Sequence, residues 1–238
     1  MNRRSFPVLL VLSAVLMSLP WLVPHLGFTA LFGLVPLLLM DYIATRDGVK
    51  RFWLWHYGTF VLWNAITTFW VCNATVGGGI FAVTANALQM SVLFGLFRLS
   101  KKRLRGSQAY IFLAAMWIAW ERWYLQSAEI SWPWLVLGNA FAQSTHDIQW
   151  YEFTGTLGGS LWVWVSNLGI FGVLVALSEG RWVHRPKPGI AALTALALVL
   201  FCPPVISRVI YHRYQEVSED KLNVLVAQPN FDPYQKFQ

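Results

Sequence analysis

The chain has 238 residues, of which 56% are hydrophobic and only 12% charged, and its formal net charge is +7. A soluble domain carries roughly 25% charged residues, and no soluble core could hide this much apolar surface, so lipid is the expected solvent. The basic residues fall in short clusters between apolar runs. That pattern sets nucleic acid aside as a partner and points to membrane topology.

The opening "MNRRSFPVLLVLSAVLMSLPWLVP" has the basic-then-apolar form of a secretory signal. Pro20, Trp21 and Pro24 occupy the place of a small-residue cleavage site, so an uncleaved first helix is expected. A membrane span needs about 20 apolar residues, and seven such runs are expected, near 6–23, 26–43, 53–73, 79–99, 108–126, 156–177 and 189–210. The first two are separated only by "PHLG", which suggests a tilted hairpin or a partly re-entrant pair. Asn64, Asn86, Gln89 and Asn167 fall inside spans and read as interhelical hydrogen-bond glue. "GGG" at 77–79 reads as a turn at a span boundary. Cys72 and Cys202, in or beside apolar runs, read as buried apolar residues.

Lys and Arg set the orientation. With the N-terminus cytoplasmic, Arg3, Arg4, Arg46, Lys50, Arg51, Arg98, Lys101, Lys102, Arg103, Arg105, Arg181, Arg185 and Lys187 all fall inside, thirteen of the eighteen basic residues. The positive-inside rule favours that arrangement. It places the loop 127–155 and the segment after residue 210 together on the outer side.

Residues 117–167 hold eight of the fourteen tryptophans. Trp117, Trp120, Trp162 and Trp164 read as an aromatic belt at the membrane interface. Trp132 and Trp134 flank Pro133 in a loop that has left the helix, and this "WPW" could shape a lipid-facing rim. Glu121, near the end of the fifth span, needs a partner or water there. A tie between helices is the favoured reading over a functional carboxylate. Asp147, Gln149 and Glu152 could form a solvated face or the lip of a cavity. His146 beside Asp147 does not make a catalytic dyad, because no Ser or Cys nucleophile accompanies it. His25, His56, His184 and His212 are scattered singly, without metal-ligand spacing. No catalytic residue, metal site or cofactor is expected in this chain.

Three stretches, "WPWLVLGNAFA", "IQWYEFTGTLGGSLWVWVSN" and "LNVLVAQPNFDPYQKF", together resemble the apolipoprotein N-acyltransferase family of bacterial envelopes. The resemblance implies an enzyme that moves an acyl chain from a phospholipid to the N-terminal diacylglyceryl-cysteine of an apolipoprotein. It implies an all-α polytopic bundle of about seven transmembrane helices, followed by the opening β-strand of an αββα nitrilase-like domain. Residues 1–214 would be the transmembrane module, with its outer loop 127–155, and 215–238 the start of the periplasmic domain, with a strand at 222–227. The family's Glu-Lys-Cys triad has no counterpart here, so the chain is expected to be a fragment, inactive alone. Within the matching motifs Trp132, Pro133, Trp134, Gln149 and Glu152 are the expected substrate-binding residues. The implied partners are the phospholipid donor, the apolipoprotein acceptor and the bilayer, with a monomer in the bacterial inner membrane. The rival reading is a non-catalytic polytopic protein, a transporter or an assembly scaffold.

Overall fold

Long apolar runs punctuated by proline, glycine and basic turns fold into helices. The computed structural model describes residues 3–126, 131–183, 186–214 and 223–228. Among them are α1 (Phe6–Leu22), α2 (Ala30–Gly33), α3 (Val35–Arg46), α4 (Trp53–Thr68), α5 (Val76–Ser100), α6 (Ser107–Gln126), α7 (Tyr151–Ser178) and α8 (Pro186–Arg213). Five segments are long and apolar enough to cross a membrane: Arg3–Leu22, Gly27–Arg46, Val76–Ser100, Tyr151–Ser178 and Pro186–Arg213. The other two expected spans are α4 and α6. α4 has only 16 residues, with His56 and Asn64 among them, and α6 carries Gln108, Glu121, Arg122 and Gln126. His56, Asn64 and Glu121 are buried, so part of that polarity faces the bundle interior.

The second segment is broken where α2 meets α3. Pro36, in the first turn of α3, has no N–H to donate and its ring would clash with the carbonyl four residues earlier. The groups freed at the break are taken up by Asn167 of α7. Its Oδ1 accepts from the Leu34 N–H (2.7 Å), and its Nδ2 donates to the carbonyls of Ala30 (2.7 Å) and Val163 (2.8 Å). The other expected glue residues also bridge helices. Asn86 Nδ2 donates to Asn64 Oδ1 at 2.7 Å, and Trp120 Nε1 donates to Gln89 Oε1 at 3.3 Å.

The aromatic belt is not where it was expected. Trp117 and Trp164 are fully buried with ring centroids 5.2 Å apart, and Trp162 is 7% exposed, stacked on Phe141. Trp120 is half-buried. Interior placement leaves the Trp117 and Trp162 donors paired, with Glu121 and with the Val199 carbonyl (2.7 Å), so these rings fill the core between helices. Cys72 is only half-buried and Cys202, on α8, is exposed, against the expectation that both are buried. Gly77, Gly78 and Gly79 form the first turn of α5 instead of a separate turn, and a Cβ on Gly79 would fall 2.3 Å from Cys72 Sγ.

Residues 223–228 are exposed and adopt no regular structure, so the strand expected at 222–227 is not formed over its described part. A strand is closed by a neighbouring ladder, and no strand lies among the described residues. Leu222 and most of the stretch assigned to a second domain lie outside those residues.

If Asn167 repairs the break, Asn167→Leu should take the side-chain acceptor from the Leu34 N–H and the side-chain donor from the Ala30 carbonyl, at about 1–3 kcal/mol for each buried group left short of a partner. The unfolding midpoint in detergent should fall clearly, and an unchanged midpoint would show that the break needs no side-chain partner.

Candidate functional site

α6 ends before the loop that carries most of the expected site residues. Pro133 cannot continue a helix, and residues 131–150 instead form short 3₁₀ turns at Pro133–Leu135, Leu137–Phe141 and Thr145–Asp147. The middle turn is buried: Leu135, Val136, Leu137, Gly138, Ala140 and Phe141 lie beneath the surface. Irregular backbone in an apolar interior has to find partners within the protein. Glu121 Oε1 accepts from the Leu137 N–H at 2.9 Å and from Trp117 Nε1 at 3.1 Å. Ser160 Oγ, which faces the same carboxylate, accepts from the Gly138 N–H at 2.9 Å. Tyr151 Oη donates to the Gly138 carbonyl at 3.0 Å.

Two glycines permit this docking. A Cβ on Gly138 would stand 2.0 Å from the Thr156 carbonyl, and one on Gly159 would stand 1.8 Å from Tyr151 Oη. The turn therefore lies directly on the α7 backbone. The first turn of α7 is set off from the rest by Gly155, at φ 66°, a left-handed conformation that favours glycine.

Trp132, Pro133 and Trp134 sit on the α1 and α4 side of this loop. The Trp132 and Trp134 rings pack on Trp70, with centroids at 5.6 and 6.0 Å, and Trp21 Nε1 donates to the Trp134 carbonyl at 2.9 Å. Trp134 is 43% exposed. Gln149 turns back to donate to the Thr145 carbonyl (2.8 Å), and Glu152 is exposed in the first turn of α7. The buried turn Leu137–Phe141 links the tryptophans to α7, since Asn139 Nδ2 donates to the Pro133 carbonyl (3.0 Å) while Tyr151 holds Gly138.

A cavity of about 630 Å³ beside the loop is lined by none of those five residues. Phe28, Phe141, Trp162 and Phe201 form its apolar walls, and His25, Ser144, Asp147 and Arg208 its polar end. A second cavity of about 440 Å³ shares that polar end and adds His146, Tyr211 and His212. Asp147 pairs with Arg208 (3.0 Å), and His146 packs against the Tyr211 ring (4.2 Å), so His146 and Asp147 are engaged elsewhere and form no dyad. An apolar trough ending in cationic and imidazole groups can hold a chain beside a polar head. Among the described residues no group of three or more His, Cys, Asp or Glu could hold a metal ion. Trp70 and Arg208 carry no motif signal in the sequence, and Trp21 and His25 are read there only as part of an uncleaved first helix and as a lone histidine. They come from three distant segments, the end of α1, the stretch after α4 and α8, and only the fold brings them beside the loop.

Residues 13–169 match the family model described as the apolipoprotein N-acyltransferase N-terminal domain, a stretch that includes the WPW loop, Glu121 and the Gly138–Gly159 contact. The chain belongs to the apolipoprotein N-acyltransferase family. A relative named apolipoprotein N-acyltransferase, from Chlorobaculum tepidum, is 29% identical over 221 residues. The match covers 91% of this chain and 39% of the relative, so the chain spans well under half of that protein's length. No solved structure matches. Within the matched residues, Gly138 and Gly159 are where the loop and α7 backbones meet.

The Glu121 contacts make a prediction. Glu121→Ala removes the acceptor of two buried donors, each costing about 1–3 kcal/mol when unpaired, whereas Glu121→Gln keeps an acceptor oxygen. The Ala variant should therefore unfold at lower temperature and expose residues 131–150 to protease, while the Gln variant retains most of the stability. Two variants both indistinguishable from the parent would remove Glu121 from the account of the loop.

Proposed function

We propose that these residues are the membrane module of an enzyme that transfers an acyl chain from a phospholipid to the N-terminal diacylglyceryl-cysteine of an apolipoprotein. The observation that carries this reading is the family match over residues 13–169, which takes in the whole described loop and its docking on α7. In this reading the chain crosses the bacterial inner membrane seven times, α4 and α6 included, with Arg3 on the cytoplasmic side. The basic residues support that sidedness. Arg3 donates to the Asp47 carbonyl (2.5 Å), Lys101 and Arg98 pair with Asp41, and Arg181 pairs with Glu179, so one end of the bundle is basic and the opposite end aromatic.

The aromatic end then faces the periplasm. Trp132, Pro133 and Trp134 form a rim that guides acyl chains, with Gln149 and Glu152 at the start of α7 as the polar contacts of the acceptor. The trough between α2, α7 and α8 offers space for an acyl chain beside that rim. Chemistry of this kind needs a thiolate with a base and oxyanion donors. The only thiols of these 238 residues, Cys72 and Cys202, lie in apolar helical surroundings, so residues 1–238 alone should be inactive.

The test is a chimera in which residues 1–213 replace the aligned part of the Chlorobaculum tepidum relative, assayed with labelled phospholipid and a diacylglyceryl lipopeptide. The chimera should transfer the label. Trp134→Ala should reduce transfer several-fold at equal abundance, whereas Trp123→Ala, at a 53% exposed belt-like position, should not. A folded chimera with no transfer would overturn the assignment, and equal activity of the two Trp variants would remove Trp134 from the rim.

A further inference from the structure

Opposite the aromatic end, two cavities lie side by side along one groove. The first, about 480 Å³, lies between the end of α3 and the α5–α6 turn and is bordered by Arg46, Lys101 and Arg105. The second, about 570 Å³, runs along α6 and α7 and is mainly apolar, with Ile111, Val165, Leu168 and Gly172 on its walls and Arg181 at its basic end. Tyr42, Gly106 and Tyr110 line both, so the basic chamber adjoins the apolar one.

The charges at this end do not cancel. Arg46 pairs with Asp47 (2.8 Å), and Arg98 and Lys101 share the fully buried Asp41. Arg181 pairs with Glu179, which also accepts from Tyr42 Oη at 2.5 Å. The bond from Tyr42, together with Arg181, holds the Glu179 carboxyl below its usual range, so it stays ionised. Four cations thus meet three carboxylates. The Arg105 guanidinium has no ion pair among the described residues, and Lys102 and Arg103 are exposed in the same turn. The apolar part has the opposite character. Ile111 is 64% exposed and Val165 40% exposed, and Val165 belongs to a segment long and apolar enough to cross a membrane. A water-soluble anion could use the basic chamber but not that wall.

We infer that this groove binds one phospholipid with a net negative headgroup, its phosphate between Arg46, Lys101 and Arg105 and an acyl chain along α6 and α7. Basic pockets between transmembrane helices recognise such headgroups. The site lies at the opposite end of the bundle from the loop proposed for acyl transfer. It rests on the chain being embedded in a membrane and not on that activity, so a failure of either reading leaves the other in place.

The experiment uses delipidated protein in detergent, titrated with phosphatidylglycerol, with phosphatidylcholine of the same chains, or with inorganic phosphate, and bound lipid is counted by native mass spectrometry. Phosphatidylglycerol should bind at a one-to-one ratio in preference to phosphatidylcholine, and phosphate should not displace it. Arg105→Glu should weaken binding by more than about fivefold, the effect expected of one surface charge. A Cβ on Gly172 would meet nothing within 4 Å. Gly172→Trp should therefore fill the groove and abolish retention without unfolding α7, while Gly172→Ala leaves binding intact. Equal binding of the two lipids, displacement by phosphate, or retention in both Arg105→Glu and Gly172→Trp would overturn the inference.

Discussion

A bilayer offers no water to a broken backbone, so every N–H and C=O at membrane depth must be satisfied within the protein. This chain breaks its helices at two buried places, and a polar side chain from another helix takes up the freed groups at each. Asn167 does so for Leu34 and Ala30, and Glu121, with Ser160 and Tyr151, does so for Leu137 and Gly138. The rest of the architecture follows from these two repairs. The first ties α2 and α3 to α7, and the second seats the 131–150 loop on α6 and α7, where it meets Trp21 and Trp70 and borders the trough under α8.

Much of this was legible in the sequence because the constraint acts on residue type. An Asn inside an apolar run has few uses other than pairing, and Asn64, Asn86, Gln89 and Asn167 all pair between helices. Glu121 was legible for the same reason, as a tie between elements. The expected start of the sixth span at 156 falls next to the kink at Gly155. The tryptophans were misplaced because the preference of Trp for interfaces carries no information about helix face. The spacing of Leu113, Trp117, Glu121 and Tyr124 does carry it: all four are buried and recur at three and four residues along α6. Among the described residues five segments meet the length and apolarity of a span; α4 falls short in length, and α6 carries several polar residues.

What sequence could not supply was the convergence of distant segments. Asp41 stands alone in an apolar run, and an ionisable group there signals a partner. Its partners, Arg98 and Lys101, lie nearly sixty residues away on a different helix. Similarly, the trough that ends at His25, Asp147 and Arg208 joins α2, α7, α8 and the loop, and no motif spans them. The five residues expected to bind substrate lie on the loop and the first turn of α7, whereas the trough lies beside them, so motif and cavity are separate parts of one aromatic end.

Hydrogen–deuterium exchange in lipid nanodiscs measures the central claim directly, because Leu137 and Gly138 lie outside any α-helix and owe their protection to side-chain partners alone. Peptides covering 135–141 should exchange as slowly as those from the buried stretch of α7. Exchange there as fast as in the exposed segment 223–228 would contradict the claim that buried polar side chains hold this loop in place.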